Sequence, residues 1–177
     1  MTEFALFDTA IGTCAVAWTE HGVRDVLLPG RSTAQTRTTL AGRYGPAAEA
    51  SPPPAVARAI TAIVRLLDGE PEDLAEVELD LTGVPEFNQQ VYAVARTIDP
   101  GATLCYGDIA VRIGQPGAAR AVGRAMGENP CPIVIPCHRV LAADGSLHGF
   151  SSYGGIATKR RMLQIEGALA PDEPTLF

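Results

Sequence analysis

Ile133-Val134-Ile135-Pro136-Cys137-His138-Arg139-Val140 is the stretch from which both fold and chemistry are read. Three branched apolar residues closed by a proline predict a short buried strand or extended segment. Pro136 fixes its own φ and drives Ile135 toward extended backbone, so the chain entering Cys137 is stiff. A thiol on rigid, apolar-backed backbone suits a nucleophile, because its sulfur must meet a target in line. A lone cysteine in such a run would otherwise read as a core residue. The proline before it and the histidine after it point to chemistry.

A free cysteine is a weak nucleophile as a thiol, with a pKa of about 8.5, and a strong one as a thiolate. Neighbouring side chains on extended backbone face opposite ways, so His138 is expected to reach the Cys137 proton through one water. Such a base needs a third group to hold its tautomer. Glu166 is the candidate, set among Ile156, Met162, Leu163 and Ile165 in a helical pattern. A solvated glutamate near a helix end would give the same spacing.

The chain has 177 residues, 46% of them hydrophobic, enough for a substantial core in one domain or two small ones. No apolar stretch reaches membrane-spanning length, and residues 1–20 lack the order of a signal peptide, so a cytoplasmic location is expected. Cys14, Cys105, Cys131 and Cys137 fall in no paired spacing, signalling neither a metal site nor a disulfide framework. A reducing compartment suits a protein that depends on a free thiol. The net charge of −6 speaks against nucleic acid globally, but the charge is uneven. Residues 1–84 carry six basic and twelve acidic side chains, and residues 85–177 carry eight of each. Between Arg112 and Arg139, Arg120 and Arg124 join them against Glu128 alone. Such a basic patch is a DNA signal, although a solvated helix face looks similar.

Residues 2–8 and 13–19 read as strands around Ile11-Gly12, and 23–28 continues the pattern to Pro29-Gly30. A helix is expected over 32–43 with Ser32 as cap. Another is expected through Val56, Ile60, Ile63, Val64 and Leu67, and a strand over 77–81. The fold class is α+β, with a boundary at Thr82-Gly83-Val84-Pro85 that divides a 1–84 scaffold from an 85–177 domain. The second part reads as mostly helical: Phe87, Val91, Val94, Ala95 and Ile98 form one face, and a short helix runs from Tyr106 to Ile113. After Gln115-Pro116-Gly117 a second helix is expected to about Met126, the helix-turn-helix outline. It is lined with small residues, including Ala119 and Gly123. Arg120 and Arg124 lie one turn apart on one face, which suits a DNA groove. Close packing on a neighbouring helix would also use small residues.

Pro136-Cys137-His138-Arg139-Val140, with Arg120-Ala121-Val122-Gly123, Asn129-Pro130 and Glu166-Gly167, resembles the O6-alkylguanine-DNA alkyltransferase (methylated-DNA–protein-cysteine methyltransferase) family. The likeness runs from about Pro85 to Gly167. It implies a ribonuclease H-like N-terminal domain and a winged helix-turn-helix-like C-terminal domain. It implies irreversible, single-turnover transfer of the alkyl group of O6-alkylguanine, with O4-alkylthymine as a further substrate, from flipped-out bases in double-stranded DNA to Cys137. His138 and Glu166 would activate the thiol, Asn129 brace its turn and Tyr106 lie near the flipped nucleotide. Arg120 would fill the hole in the stack, with Arg124, Ala119, Gly123 and Arg139 also at the DNA. Val140 and the loop Phe150, Ser151, Ser152, Tyr153 would wall the lesion pocket. No cofactor or catalytic metal is expected, nor a membrane partner, and the protein is expected to be a monomer.

One departure concerns that loop. Family members carry an aromatic, one small residue and two glycines, whereas Ser151-Ser152-Tyr153 here separate Phe150 from Gly154-Gly155, two residues more. The alternatives are an alkyltransferase-like protein with a different adduct preference, a damage-recognition protein, and a cysteine hydrolase unrelated to DNA.

Overall fold

The computed structural model describes residues 1–147 and 154–172. Strands β1 (Glu3–Thr9), β2 (Gly12–Thr19) and β3 (Gly22–Leu27) form an antiparallel sheet in the order β1-β2-β3. Gly22 sits at φ 130°, and a Cβ there would meet the Glu78 carbonyl oxygen at 2.6 Å, so the turn into β3 admits only glycine. Helix α1 (Thr33–Tyr44) begins where the Ser32 hydroxyl accepts the Gln35 N–H at 3.1 Å. Helix α2 (Pro54–Leu67) buries Val56, Ala59, Ile63, Leu66 and Leu67 on one face.

The strand expected over 77–81 forms a single bridge, Leu79 to Val23. Val23 N–H donates to the Glu78 carbonyl at 2.9 Å and Asp80 N–H to the Val23 carbonyl at 2.8 Å. The next donor on that edge of β3, Val26 N–H, goes instead to the Pro130 carbonyl at 2.9 Å. With its edge shared between two segments, β3 cannot carry a longer ladder. The same bond ties the sheet to the segment leading to Cys137.

Helices α3 (Glu86–Ala95), α4 (Tyr106–Arg112), α5 (Ala119–Gly127) and α6 (Gly155–Ile165) build the remainder, so the chain is α+β. α4 and α5 pack on each other and α3 packs on α5, the expected helix-turn-helix. α5 starts later than position 116, because Ala118 N–H bonds the Gln115 carbonyl at 2.9 Å and closes a turn over Pro116-Gly117. The buried Tyr92 hydroxyl donates to the Ala125 carbonyl at 2.7 Å, locking α3 to α5. One core unites Trp18, Val23 and Ile63 with Val91, Ile109, Val122 and Cys137.

Strand β4 (Leu104–Cys105) pairs in parallel with β5 (Val140–Leu141), matching Leu104 to Val140 and Cys105 to Leu141. β4 directly precedes Tyr106 and β5 directly follows Arg139. This short pair therefore fixes the start of the helix-turn-helix beside the cysteine turn.

Candidate active site

The stretch 133–135, expected as a strand, is a buried turn. Ile135 N–H bonds the Cys131 carbonyl at 2.8 Å, and Ile133 adopts φ 75°, the left-handed region a β-branched residue rarely enters. Pro132 and Pro136 flank the run and donate no backbone hydrogen bond, so a ladder is unavailable. Burial on every side made the apolar run look like a strand. Asn129 holds the turn with both ends of its amide: Oδ1 accepts the Cys131 N–H at 2.9 Å and Nδ2 donates to the Ile135 carbonyl at 2.8 Å. Pro136, at φ −79° and ψ 65°, is the centre of an inverse γ-turn in which Cys137 N–H donates to the Ile135 carbonyl at 2.8 Å. Cys137, His138 and Arg139 then form one 3-10 turn rather than extended backbone.

Cys137 is 7% exposed. Burial pushes its thiol pKa up, opposed by a hydrogen bond from Asn129 and by the Lys159 charge. His138 is 1% exposed, and its Nε2 lies 2.8 Å from Glu166 Oε1. Burial would raise the Glu166 pKa, but bonds from Arg139 and His138 hold it down at about 2. Glu166 is therefore an anion that only accepts, which assigns the Nε2–H tautomer to His138. Burial lowers the imidazole pKa, keeping the ring neutral. Its Nδ1 lone pair, buried and without a hydrogen-bond partner among the described residues, is left to take a proton. Tyr106 is half-buried, and burial, followed by the charge of Cys137, raises its phenol pKa and preserves an O–H donor.

Arg139, expected at the DNA, is buried and corrects that expectation. Its Nε donates to Glu166 Oε2 at 2.8 Å, its Nη2 to Oε1 at 2.7 Å, and its Nη1 to the Ile98 carbonyl at 2.6 Å. A guanidinium fork so matched to a carboxylate is consumed by it. The basic surface keeps exposed Arg112, Arg120 and Arg124. Ala119 and Gly123 on α5 are half-buried, and a Cβ on Gly123 would lie 4.0 Å from Tyr106 Cδ1, so the helix passes close over that ring. Val140 is wholly buried, so its side chain does not line an open pocket; its carbonyl accepts from Lys159 Nζ at 2.7 Å. Phe150, Ser151, Ser152 and Tyr153 lie outside the described residues.

Lys159, 1% exposed, escaped notice in the sequence. Its signal was spacing: Lys159, Met162, Leu163 and Glu166 fall at i, i+3, i+4 and i+7, so the lysine shares the inward stripe that carries Glu166. Among the described residues no group of three His, Cys, Asp or Glu side chains could hold a metal ion, and no helix is long and apolar enough to cross a membrane.

A buried thiol, a neutral imidazole and an anionic carboxylate behind a helix-turn-helix with exposed arginines define a cysteine-nucleophile protein built on a nucleic-acid-binding motif. The family model for the 6-O-methylguanine DNA methyltransferase DNA-binding domain matches residues 86–168. A methylated-DNA–protein-cysteine methyltransferase of Mycobacterium bovis is 52% identical over 102 residues, 58% of this chain and 60% of the relative, so this match spans under two thirds of that protein. One from Mycolicibacterium paratuberculosis is 36% identical over 177 residues, covering 100% of this chain and 99% of the relative. The crystal structure of Mycobacterium tuberculosis OGT in complex with DNA superposes with a TM-score of 0.70 at 35% identity, over 96% of each chain. The chain belongs to the methylated-DNA–protein-cysteine methyltransferase family.

Proposed function

We propose that this protein repairs DNA by moving the alkyl group of O6-alkylguanine, and of O4-alkylthymine, irreversibly onto Cys137. The observation that carries the proposal is the buried line Cys137, His138, Glu166, in which a neutral imidazole keeps a free lone pair beside a protonated thiol. The 85–177 part acts as the DNA and transfer unit and 1–84 as its scaffold. The protein works as a monomer in the cytoplasm on double-stranded DNA.

α5 enters the groove with Ala119 and Gly123 allowing close approach, Arg124 contacts the backbone, and Arg120 replaces the extruded base. His138 Nδ1 takes the thiol proton through a water, and Glu166 stabilises the imidazolium that forms. The thiolate attacks the alkyl carbon opposite O6; the S–C bond forms as the C–O6 bond breaks, and both electrons of that bond leave with guanine. Tyr106 donates a hydrogen bond to the departing base, which gains a proton from solvent. The thioether product is not hydrolysed, so each molecule acts once. Phe150, Ser151, Ser152 and Tyr153 help set which adducts react.

A duplex carrying radiolabelled O6-methylguanine tests this directly. Label should pass to the protein with a stoichiometry of one. Label staying on bound DNA would favour a damage-recognition role and overturn the proposal.

A further inference from the structure

Among the described residues two buried side-chain nitrogens have no hydrogen-bond partner: His138 Nδ1, used in the transfer proposed above, and Arg96 Nε. Arg96 directly follows α3. Its Nη2 reaches across to the N-terminal half and donates to the carbonyls of Leu74 at 2.9 Å, Ala75 at 2.9 Å and Val77 at 2.8 Å. Arg96 also lines a niche of about 20 Å³, with Leu74 and Ala75 on one side and Ile133, Val134 and Pro136 on the other. Those last three belong to the turn that delivers Cys137. Burial drives the Cys131 thiol pKa up and Arg96 acts against that shift, so the guanidinium charge is felt inside the turn. The turn lacks donors at the same place. Ile133 and Val134 are buried, yet no described residue gives either carbonyl a hydrogen bond.

We infer that this niche binds one water, which accepts the Arg96 Nε–H and donates to the main chain of Ile133-Val134, and that Arg96 is thereby a positioning residue for Cys137. The second part rests on the transfer function proposed above. Buried N–H and carbonyl groups are nearly always satisfied, by ordered water where the protein offers no partner. One water needs about 10–15 Å³, which the niche exceeds. Asn129 braces the turn through Cys131 and Ile135. The water braces it again at Ile133-Val134, where Ile133 holds a left-handed φ of 75° that its surroundings must enforce. Because sulfur must meet the alkyl carbon in line, a turn that drifts slows transfer without weakening the grip on DNA. The three bonds to segment 74–77 all use Nη2, so they leave the brace to Nε alone.

A crystal structure of the wild-type chain that orders buried water should show one water within about 3.2 Å of Arg96 Nε and of a carbonyl of the turn. A dry niche, or an ion in it, overturns the inference. Two variants of opposite chemistry test the positioning role. Arg96→Lys keeps a cation for the carbonyls of 74–77 but puts a methylene where Nε stands. Arg96→Gln loses those bonds but keeps an N–H donor at the Nε position. Each is compared with the wild type on an O6-methylguanine duplex, at a temperature where denaturant titration shows it fully folded. Arg96→Lys should slow single-turnover transfer by about ten-fold with duplex affinity within about two-fold. Arg96→Gln should be the less stable of the two and yet transfer within about three-fold of the wild type. A merely structural arginine would rank the two rates by stability instead. That ranking, or a wild-type rate in Arg96→Lys, overturns the positioning role and leaves the repair function standing. Absence of methyl transfer from the wild type overturns that function and the positioning role with it.

Discussion

His138 Nε2 and Glu166 Oε1 stand 2.8 Å apart although 28 residues separate them, and both side chains are almost wholly buried. The same carboxylate receives Arg139 through two bonds. Glu166 therefore orients a neutral imidazole while its own charge is balanced by a cation, so the site is held without placing a net charge on His138 at rest.

Cys137→Ala should abolish alkyl transfer and leave DNA affinity largely intact, because affinity comes from phosphate and groove contacts. Intact-protein mass after incubation with methylated DNA should rise by one methyl group in the wild type only. Transfer persisting in the alanine variant would remove the nucleophile from the mechanism.

Glu166→Gln should destabilise the protein by about 3–5 kcal/mol, since it leaves the buried Arg139 cation without its counter-charge. The pH dependence follows from the carboxyl being held at about 2, below its ordinary 4.5. A depressed carboxyl stabilises the folded state above its unfolded pKa, and that stability, about 3 kcal/mol, is lost as pH falls from 4.5 toward 2. Denaturant midpoints between pH 7 and pH 2.5 should show this acid loss in the wild type and less of it in the variant.

Transfer rate should hold near neutral pH and fall in acid. Burial lowers the His138 pKa from its ordinary 6.5, so the imidazole remains an available base until the pH is clearly below that value. Burial raises the Cys137 pKa, so the thiol still carries the proton for the base to remove. Single-turnover rates between pH 5 and 9 test this; an acid limb above pH 6.5 would mean that His138 is not the base.

Asn129→Ala should cost about 1–3 kcal/mol, because the Cys131 N–H loses its partner in a buried turn and the Ile135 carbonyl keeps only the Cys137 N–H. Transfer should fall more than stability alone explains, since the unbraced turn lets the left-handed Ile133 relax and displaces Cys137. Normal transfer at a temperature where the variant remains fully folded would show that the amide is only structural.

Arg120→Ala should slow repair in duplex DNA by about ten- to a hundred-fold and barely change transfer from the free modified base, which leaves no hole to fill. Equal losses on both substrates would make Arg120 a general contributor to the fold.

Local sequence determined a good deal of this protein. Ser32 marked the start of α1, the spacing of Val56, Ile63 and Leu67 drew the buried face of α2, and the glycine turn separated α4 from α5. Cys137, His138 and Glu166 were singled out by neighbours within one strand or helical turn. Such features are set by capping, periodicity and turn chemistry, which act over a few residues.

Tertiary structure decided what depends on distant partners. An apolar run between prolines reads alike as strand or buried turn, and only Asn129 bridging Cys131 and Ile135 made it a turn. An arginine in a basic stretch reads as a surface cation until a carboxylate 27 residues away receives it, as Glu166 receives Arg139. The strand expected at 77–81 is reduced to one bridge because Pro130 takes the neighbouring donor of β3. In each case hydrogen bonding between segments far apart in the chain chose among conformations that local preference left nearly equal.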